Sequence, residues 1–173
     1  MARRSKRPGD KHGEAPASAR KAGPKRPREM LRDTEGAVIL GWLGEGVFYT
    51  RLVGTLSAEL GEILAAHLKK VVAEVPSLLY FSDLSGLQTY DLLARSAVTR
   101  VLLANRRRFA DIVILTWSQG VNAAEQAFVT AIGDPISLFT DPTEFEKRLL
   151  RAAPFAKQTL DPNTWTVTVA PRH

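Results

Sequence analysis

From Ala37 onward the chain alternates short apolar runs of strand character with longer segments of helical spacing, and that alternation leaves few folds open. Ala37 to Leu43 and Val47 to Val53 flank Gly44-Glu45-Gly46, the pattern of two strands joined by a glycine-bearing turn. Gly54-Thr55-Leu56-Ser57 supplies a stop and a helix cap, with Ser57 preceding Leu60, Ile63, Leu64, His67, Leu68, Val71 and Val72 at helical intervals until Pro76. Leu78 to Asp83 reads as a central strand. Thr89 is then placed to cap a helix through Leu92, Leu93, Ala97, Val98, Val101, Leu102 and Ala104, ending at Arg106-Arg107-Arg108, where cations suit the helix dipole. A strand over Asp111 to Trp117, a helix over Val121 to Ile132, a strand over Ile136 to Phe139 and a helix from Thr143 to about Ala152 follow, with a short strand at Thr164 to Val169 as an optional last element. The order β-β-α-β-α-β-α-β-α predicts a single α/β sheet with helices packed against it.

Charge divides the chain differently. Residues 1–32 carry 11 Lys and Arg against Asp10, Glu14 and Glu29, a net +8, which leaves −2 for the remainder of a chain whose total is +6. Four prolines and three glycines interrupt that segment, and no large apolar residue lies between Met1 and Met30, so it cannot repay the entropy of ordering. The expected organisation is a disordered basic tail over residues 1–32, an α/β domain over 33–153 and a C-terminal tail over 154–173. Met30 stands where the folded region is expected to begin, which makes it a candidate start site. The basic tail offers Arg3, Arg4, Lys6, Arg7, Lys21, Lys25, Arg26 and Arg28 as contacts for nucleic acid or an anionic membrane, the second functional reading. The slightly acidic domain offers no such footprint.

Catalytic chemistry finds little material. The chain has no cysteine, which excludes disulfides and thiolate chemistry and fits a reducing cytoplasm. No secretory signal and no run approaching the ~20 apolar residues of a membrane span are present, so a cytoplasmic protein is expected. His12 and His173 are terminal, and His67 lies on an amphipathic helix with no second ligand nearby in sequence, which favours a structural role. Gly41, Gly44 and Gly46 occupy a strand-turn-strand setting with no helix after them, and the serines lack a nucleophile elbow. No enzyme activity, cofactor or metal is expected. Trp42, Trp117 and Trp165 are too far apart for a base-stacking platform and are expected to pack in the core or at its edge.

The segment from Leu78 to Asp91 carries most of the functional signal. A strand there runs into a hydroxyl-rich turn, Ser82-Asp83-Leu84-Ser85-Gly86-Leu87-Gln88-Thr89, that opens a helix, and a helix N-terminus favours negative charge. Asp91 and Arg95, four residues apart, have the spacing of a surface helix pair and lie on the first turn after that loop.

Residues 36–152 resemble a STAS-type domain, the fold of anti-sigma-factor antagonists and sulfate-transporter tails. The resemblance rests on element order, on Gly54-Thr55-Leu56-Ser57 after the second strand, on Asp83-Leu84-Ser85 closing the third and on Thr89-Tyr90-Asp91 opening the next helix. The Tyr-Asp pair and the Asn105-Arg106-Arg107-Arg108 end are similar to those of uncharacterised bacterial STAS-like proteins. In phosphorylated members the turn carries Asp-Ser-Ser-Gly, and a kinase partner modifies a serine there. Gln88-Thr89-Tyr90-Asp91 falls over that motif, so only Thr89 keeps a hydroxyl near the modified position, with Ser85 a second candidate. The resemblance implies a non-enzymatic regulatory module of bacterial signalling. Its protein partner, of the kinase or anti-sigma-like class, would meet Ser82, Asp83, Ser85, Thr89, Tyr90, Asp91 and Arg95. A third reading, a small apolar ligand held between sheet and helices, stays open beside it.

Overall fold

The computed structural model describes residues 28–116, 126, 129–130 and 133–156, together with the backbone of 166–169. In chain order the elements are β1 (Arg28–Arg32), β2 (Gly36–Gly44), β3 (Val47–Leu56), α1 (Ala58–Glu74), β4 (Leu78–Tyr90), α2 (Leu92–Ala104), β5 (Phe109–Leu115), β6 (Ile136–Phe139), α3 (Pro142–Ala152) and β7 (Thr166–Val169). They form one seven-stranded sheet in the order β6-β5-β4-β3-β2-β1-β7. β2 is antiparallel to β1 and β3, and every other neighbouring pair is parallel. The expected single α/β sheet is therefore present. Gly46, at φ +69°, makes the turn between β2 and β3 that its glycine promised.

One boundary departs from the sequence reading. Arg28–Arg32, assigned above to the disordered tail, is a strand: it pairs antiparallel with Ala37–Gly41 and buries Leu31. The cause is local, since the Asp33 carboxylate accepts from the amides of Glu35 and Gly36, both at 2.8 Å, and closes a tight turn that composition alone does not reveal. The optional C-terminal strand exists as Thr166–Val169 and pairs with β1. Arg28 thus lies in the sheet, while the other seven basic residues named for nucleic-acid or membrane contact fall outside the described residues. So do Trp117, Trp165 and the expected helix from Val121 to Ile132, except at Gln126, Val129 and Thr130.

Helices α1 and α2 cover one face of the sheet. α1 starts where Ser57 was expected to cap it, its hydroxyl accepting from the Leu60 amide at 3.2 Å, and it buries Leu60, Leu64, Leu68, Val71 and Val72. A fully buried leucine of this kind stabilises by about 1.5–3 kcal/mol. The two helices approach so closely at Gly61 that a Cβ there would sit 2.3 Å from the Ala94 Cβ. α3 covers the other face, packing Phe145 and Leu149 against Tyr49, Phe81, Val113 and Leu115. Trp42 packs edge-on against Phe48 at 5.3 Å between ring centres.

His67 takes the structural role expected of it: Nδ1 lies 3.0 Å from the Ile63 carbonyl and Nε2 3.2 Å from a Glu29 carboxylate oxygen, tying β1 to α1. The arginine triplet is not the end of α2 but a separate 3₁₀ turn. Arg106 Nε donates to the Asp134 carbonyl at 2.6 Å and Arg108 to the Val75 carbonyl at 3.0 Å, so neighbouring loops, rather than the α2 dipole, hold these side chains. No helix among the described residues is long and apolar enough to cross a membrane.

Candidate functional site

The hydroxyl-rich segment after Leu78 is not a loop. β4 continues for 13 residues to Tyr90, staying paired with β3 throughout. It does so through two slips of register: Arg51 lies opposite Asp83 but Val53 opposite Gly86, and Gly54 opposite Leu87 but Thr55 opposite Thr89. At each slip β4 uses one more residue than β3, as a bulged strand does. Gly54, at φ +78°, sits beside the second slip in a backbone conformation that residues with a Cβ rarely adopt. The first slip places the Ser85 amide where the Asp83 carboxylate accepts from it at 2.9 Å. Because β4 is extended, its side chains alternate between faces, which is what separates the residues proposed as one site.

Ser82 and Tyr90 look toward α1 and α2. Ser82 is buried at the end of a hydroxyl chain in which Tyr80 meets the Thr50 hydroxyl at 2.9 Å and Thr50 donates to Ser82 at 3.3 Å. With its one hydrogen directed at Ser82, Thr50 receives the Tyr80 hydrogen. Tyr80 and Ser82 border a cavity of about 70 Å³ walled by Leu52, Leu84, Leu87, Val98 and Leu102, with Tyr90 and Arg95 also in its lining. The Arg95 guanidinium lies over the Tyr90 ring, 5.6 Å from its centre.

Asp83 and Ser85 look the other way, into a cleft of about 210 Å³ between the sheet and the start of α3, with Tyr49, Arg51 and Glu146 in its lining. Asp83 is buried. Its carboxylate accepts from the Tyr49 hydroxyl at 3.1 Å, and Arg51 Nε lies 3.6 Å from the same oxygen. Burial pushes the Tyr49 phenol well above its ordinary range, and the Asp83 charge pushes it further against the opposing effect of Arg51, so Tyr49 remains a donor to that carboxylate. The same face holds a second buried acid: Asp111 accepts from Arg148 of α3 at 3.0 Å and from Ser137 of β6 at 3.3 Å.

Thr89 and Asp91 are exposed at the end of β4. The cap of α2 is Asp91 rather than Thr89: its carboxylate accepts from the Leu93 amide at 2.6 Å, because the strand runs one residue beyond the expected cap, to Tyr90. Leu92 and Leu93, read from spacing as core positions, are instead 75% and 68% exposed, while Ala94, Ala97 and Leu102 make the buried stripe. The structure therefore brings Thr89, Tyr90, Asp91 and Arg95 together with this leucine pair, and places Asp83 and Ser85 on the opposite face. Tyr49, Thr50, Arg51 and Tyr80 were missed as members of these clusters. Their alternation along β3 and β4 was visible in sequence, but their partners were set by strand pairing.

This architecture, a mostly parallel sheet with α1 and α2 on one face and α3 on the other among the described residues, is STAS-like. An uncharacterised protein of the DUF3478 family from Shewanella loihica PV-4, which has a SpoIIAA-like fold, superposes with a TM-score of 0.55 at 16% identity, over 68% of this chain and 98% of that one. The anti-sigma factor antagonist SpoIIAA in its unphosphorylated form is also similar, with a TM-score of 0.47 at 16% identity over 65% of this chain and 96% of that one. No protein-family model matches the sequence, and neither does any curated protein.

Proposed function

We propose that the chain is a non-enzymatic regulatory module that binds a protein partner in bacterial signalling through the far end of β4 and the first turn of α2. The observation that carries this reading is the exposure of Leu92 and Leu93, adjacent leucines at 75% and 68%, flanked by the polar groups of Thr89, Asp91 and Arg95. An apolar centre with a polar rim is the composition of a protein-binding patch. The SpoIIAA-like fold supports a regulatory binding role for it.

Thr89 is the better-placed modification site of the two candidates, since it is exposed whereas Ser85 is half-buried beside the α3-side cleft. A phosphate on Thr89 would add roughly −1.5 to −2 charges two residues from the Asp91 carboxylate, weakening the hold on an acidic partner. The test is affinity capture from the native organism with the whole chain as bait. Replacing Leu92 and Leu93 by serine is expected to abolish capture, and Thr89→Glu, Asp91→Ala and Arg95→Ala to weaken it, all with unchanged circular dichroism. Undiminished capture by the double serine variant would reject this surface.

A further inference from the structure

Resting on that partner-binding reading, we infer that the docking surface runs the length of α2 to Leu103 and Arg107, and that its occupant is an acidic amphipathic helix of the partner. α2 has two faces. Ala94, Ala97 and Leu102 are buried, whereas Leu92, Leu93, Ser96, Arg100 and Leu103 are exposed. At about 100° per residue, Leu103 returns to within ~20° of Leu92, and Arg100 to within ~20° of Leu93, so the five share one outer stripe. Leu103 is 49% exposed. It lies about 16 Å along the helix axis from Leu92, which leaves the stripe apolar at both ends with a serine and an arginine between them.

Charge selects the occupant. The Arg100 and Arg107 side chains are exposed and make no hydrogen bond or ion pair among the described residues. Arg106 and Arg108, by contrast, are held by the Asp134 and Val75 carbonyls. At the other end of α2 the Asp91 carboxylate is engaged by the Leu93 amide. The chain's own tail, net +8 over residues 1–32, is repelled by such a face. A second copy docked antiparallel through the same stripe, Leu92 against Leu103, sets Arg100 beside Arg95 of that copy, a contact of like charges. Two unpaired cations are also fewer than the roughly 6–10 phosphate contacts of a nucleic-acid surface. A helix laid along α2 meets these constraints: apolar anchors about three turns apart reach Leu92 and Leu103 together, and carboxylates beside them face Arg100 and Arg107.

The experiment pans a displayed library of helical peptides, about five turns long, against the full chain and titrates the enriched sequences by fluorescence anisotropy, with phosphatidylglycerol vesicles as a second probe. Enriched peptides are expected to carry an apolar stripe edged by Asp or Glu. Leu103→Ser should weaken their binding about tenfold, and Arg100→Gln up to about fivefold, the size of an exposed ion pair, both with unchanged circular dichroism. Arg100→Glu should in turn prefer a peptide whose facing carboxylate is replaced by lysine. Enriched sequences that are neutral or basic, or no enrichment at all, would overturn the inference. So would tighter binding to the vesicles than to the peptides, or sedimentation as a dimer that Leu103→Ser splits, since the occupant is then a membrane or a second copy. If the double serine variant loses capture of the native partner while Leu103→Ser and Arg100→Glu keep it, the extension along α2 falls and the partner surface at its start stands. If capture ignores the leucines at both ends, both readings fall.

Discussion

On one face of the sheet, α1 and α2 meet through Gly61 and Ala94 over a layer of leucines and valines that also holds the rings of Trp42, Phe48, Tyr80 and Phe109 and the Thr50–Tyr80–Ser82 hydroxyl chain. On the other, α3 covers an aromatic cluster of Phe81, Phe139 and Phe145, and Arg148 fastens it to Asp111. The difference is in how each helix layer is located. α2 is positioned by close backbone approach and shape, which leaves a cavity and an exposed leucine pair at its start. α3 is positioned by its aromatic packing and by one directional ion pair, Arg148 to the buried Asp111. The proposed docking surface lies on the α2 side, where the start of that helix leaves Leu92 and Leu93 exposed.

The largest expected effect tests the α3 face. Phe81 is fully buried, with its ring 5.7 Å from that of Phe145. Phe81→Ala is expected to cost about 3–5 kcal/mol in urea unfolding, and a loss below 1 kcal/mol would mean that the aromatic cluster does not hold α3. Next comes the shape-based contact on the other face. Gly61→Val forces side-chain atoms into Ala94 and should cost about 1–3 kcal/mol, with α2 amides losing hydrogen-exchange protection before those of α3. Uniform loss across both helices would break the contrast between the faces.

Asp83→Ala probes the polar side more gently. It leaves the Tyr49 hydroxyl and the Ser85 amide without their carboxylate, at an expected cost of about 1–3 kcal/mol. Ser82→Ala, removing the end of the hydroxyl chain, should cost less, and the reverse ranking would show that the α2 side depends more on polar contacts than α3 does. The smallest effect is a pH dependence at the corner that leads into β2. Burial pushes the Asp33 carboxyl upward, but hydrogen bonds from Ser57, Glu35 and Gly36 outweigh it and hold the group below its ordinary value. A carboxyl lowered on folding stabilises above its ordinary value of about 3.9, and that contribution disappears as pH falls through the lower folded value. Acid unfolding of Asp33→Asn should therefore begin from a lower plateau and show a shallower slope below about pH 4. A wild-type slope in the variant would remove Asp33 from the acid response.

Much of the architecture was legible because it is written in periodicity. The Gly46 hairpin, the Ser57 cap, the stripe along α1 and the short apolar runs of β4, β5 and β6 each follow from the spacing of apolar residues and the turn chemistry between them. β1 was not legible. Met30 and Leu31 are too few to announce a strand, and its existence depends on pairing with β2 and on the turn closed by Asp33. The candidate site was legible by region and not by arrangement. Ser82, Asp83 and Ser85 read as consecutive loop groups, yet β3 extends to Leu56 and keeps β4 paired as far as Tyr90, turning neighbours in sequence to opposite faces.

The sequence by itself determined the alternating α/β order and the helix starting at Ser57, because local spacing and capping act over a few residues. Only the tertiary structure decided which side of the sheet each polar residue faces, that Asp91 rather than Thr89 caps α2, and that Leu92 and Leu93 point away from the core. Those outcomes depend on two slips of register between strands whose paired residues lie about 30 positions apart, and no local pattern encodes a pairing at that distance.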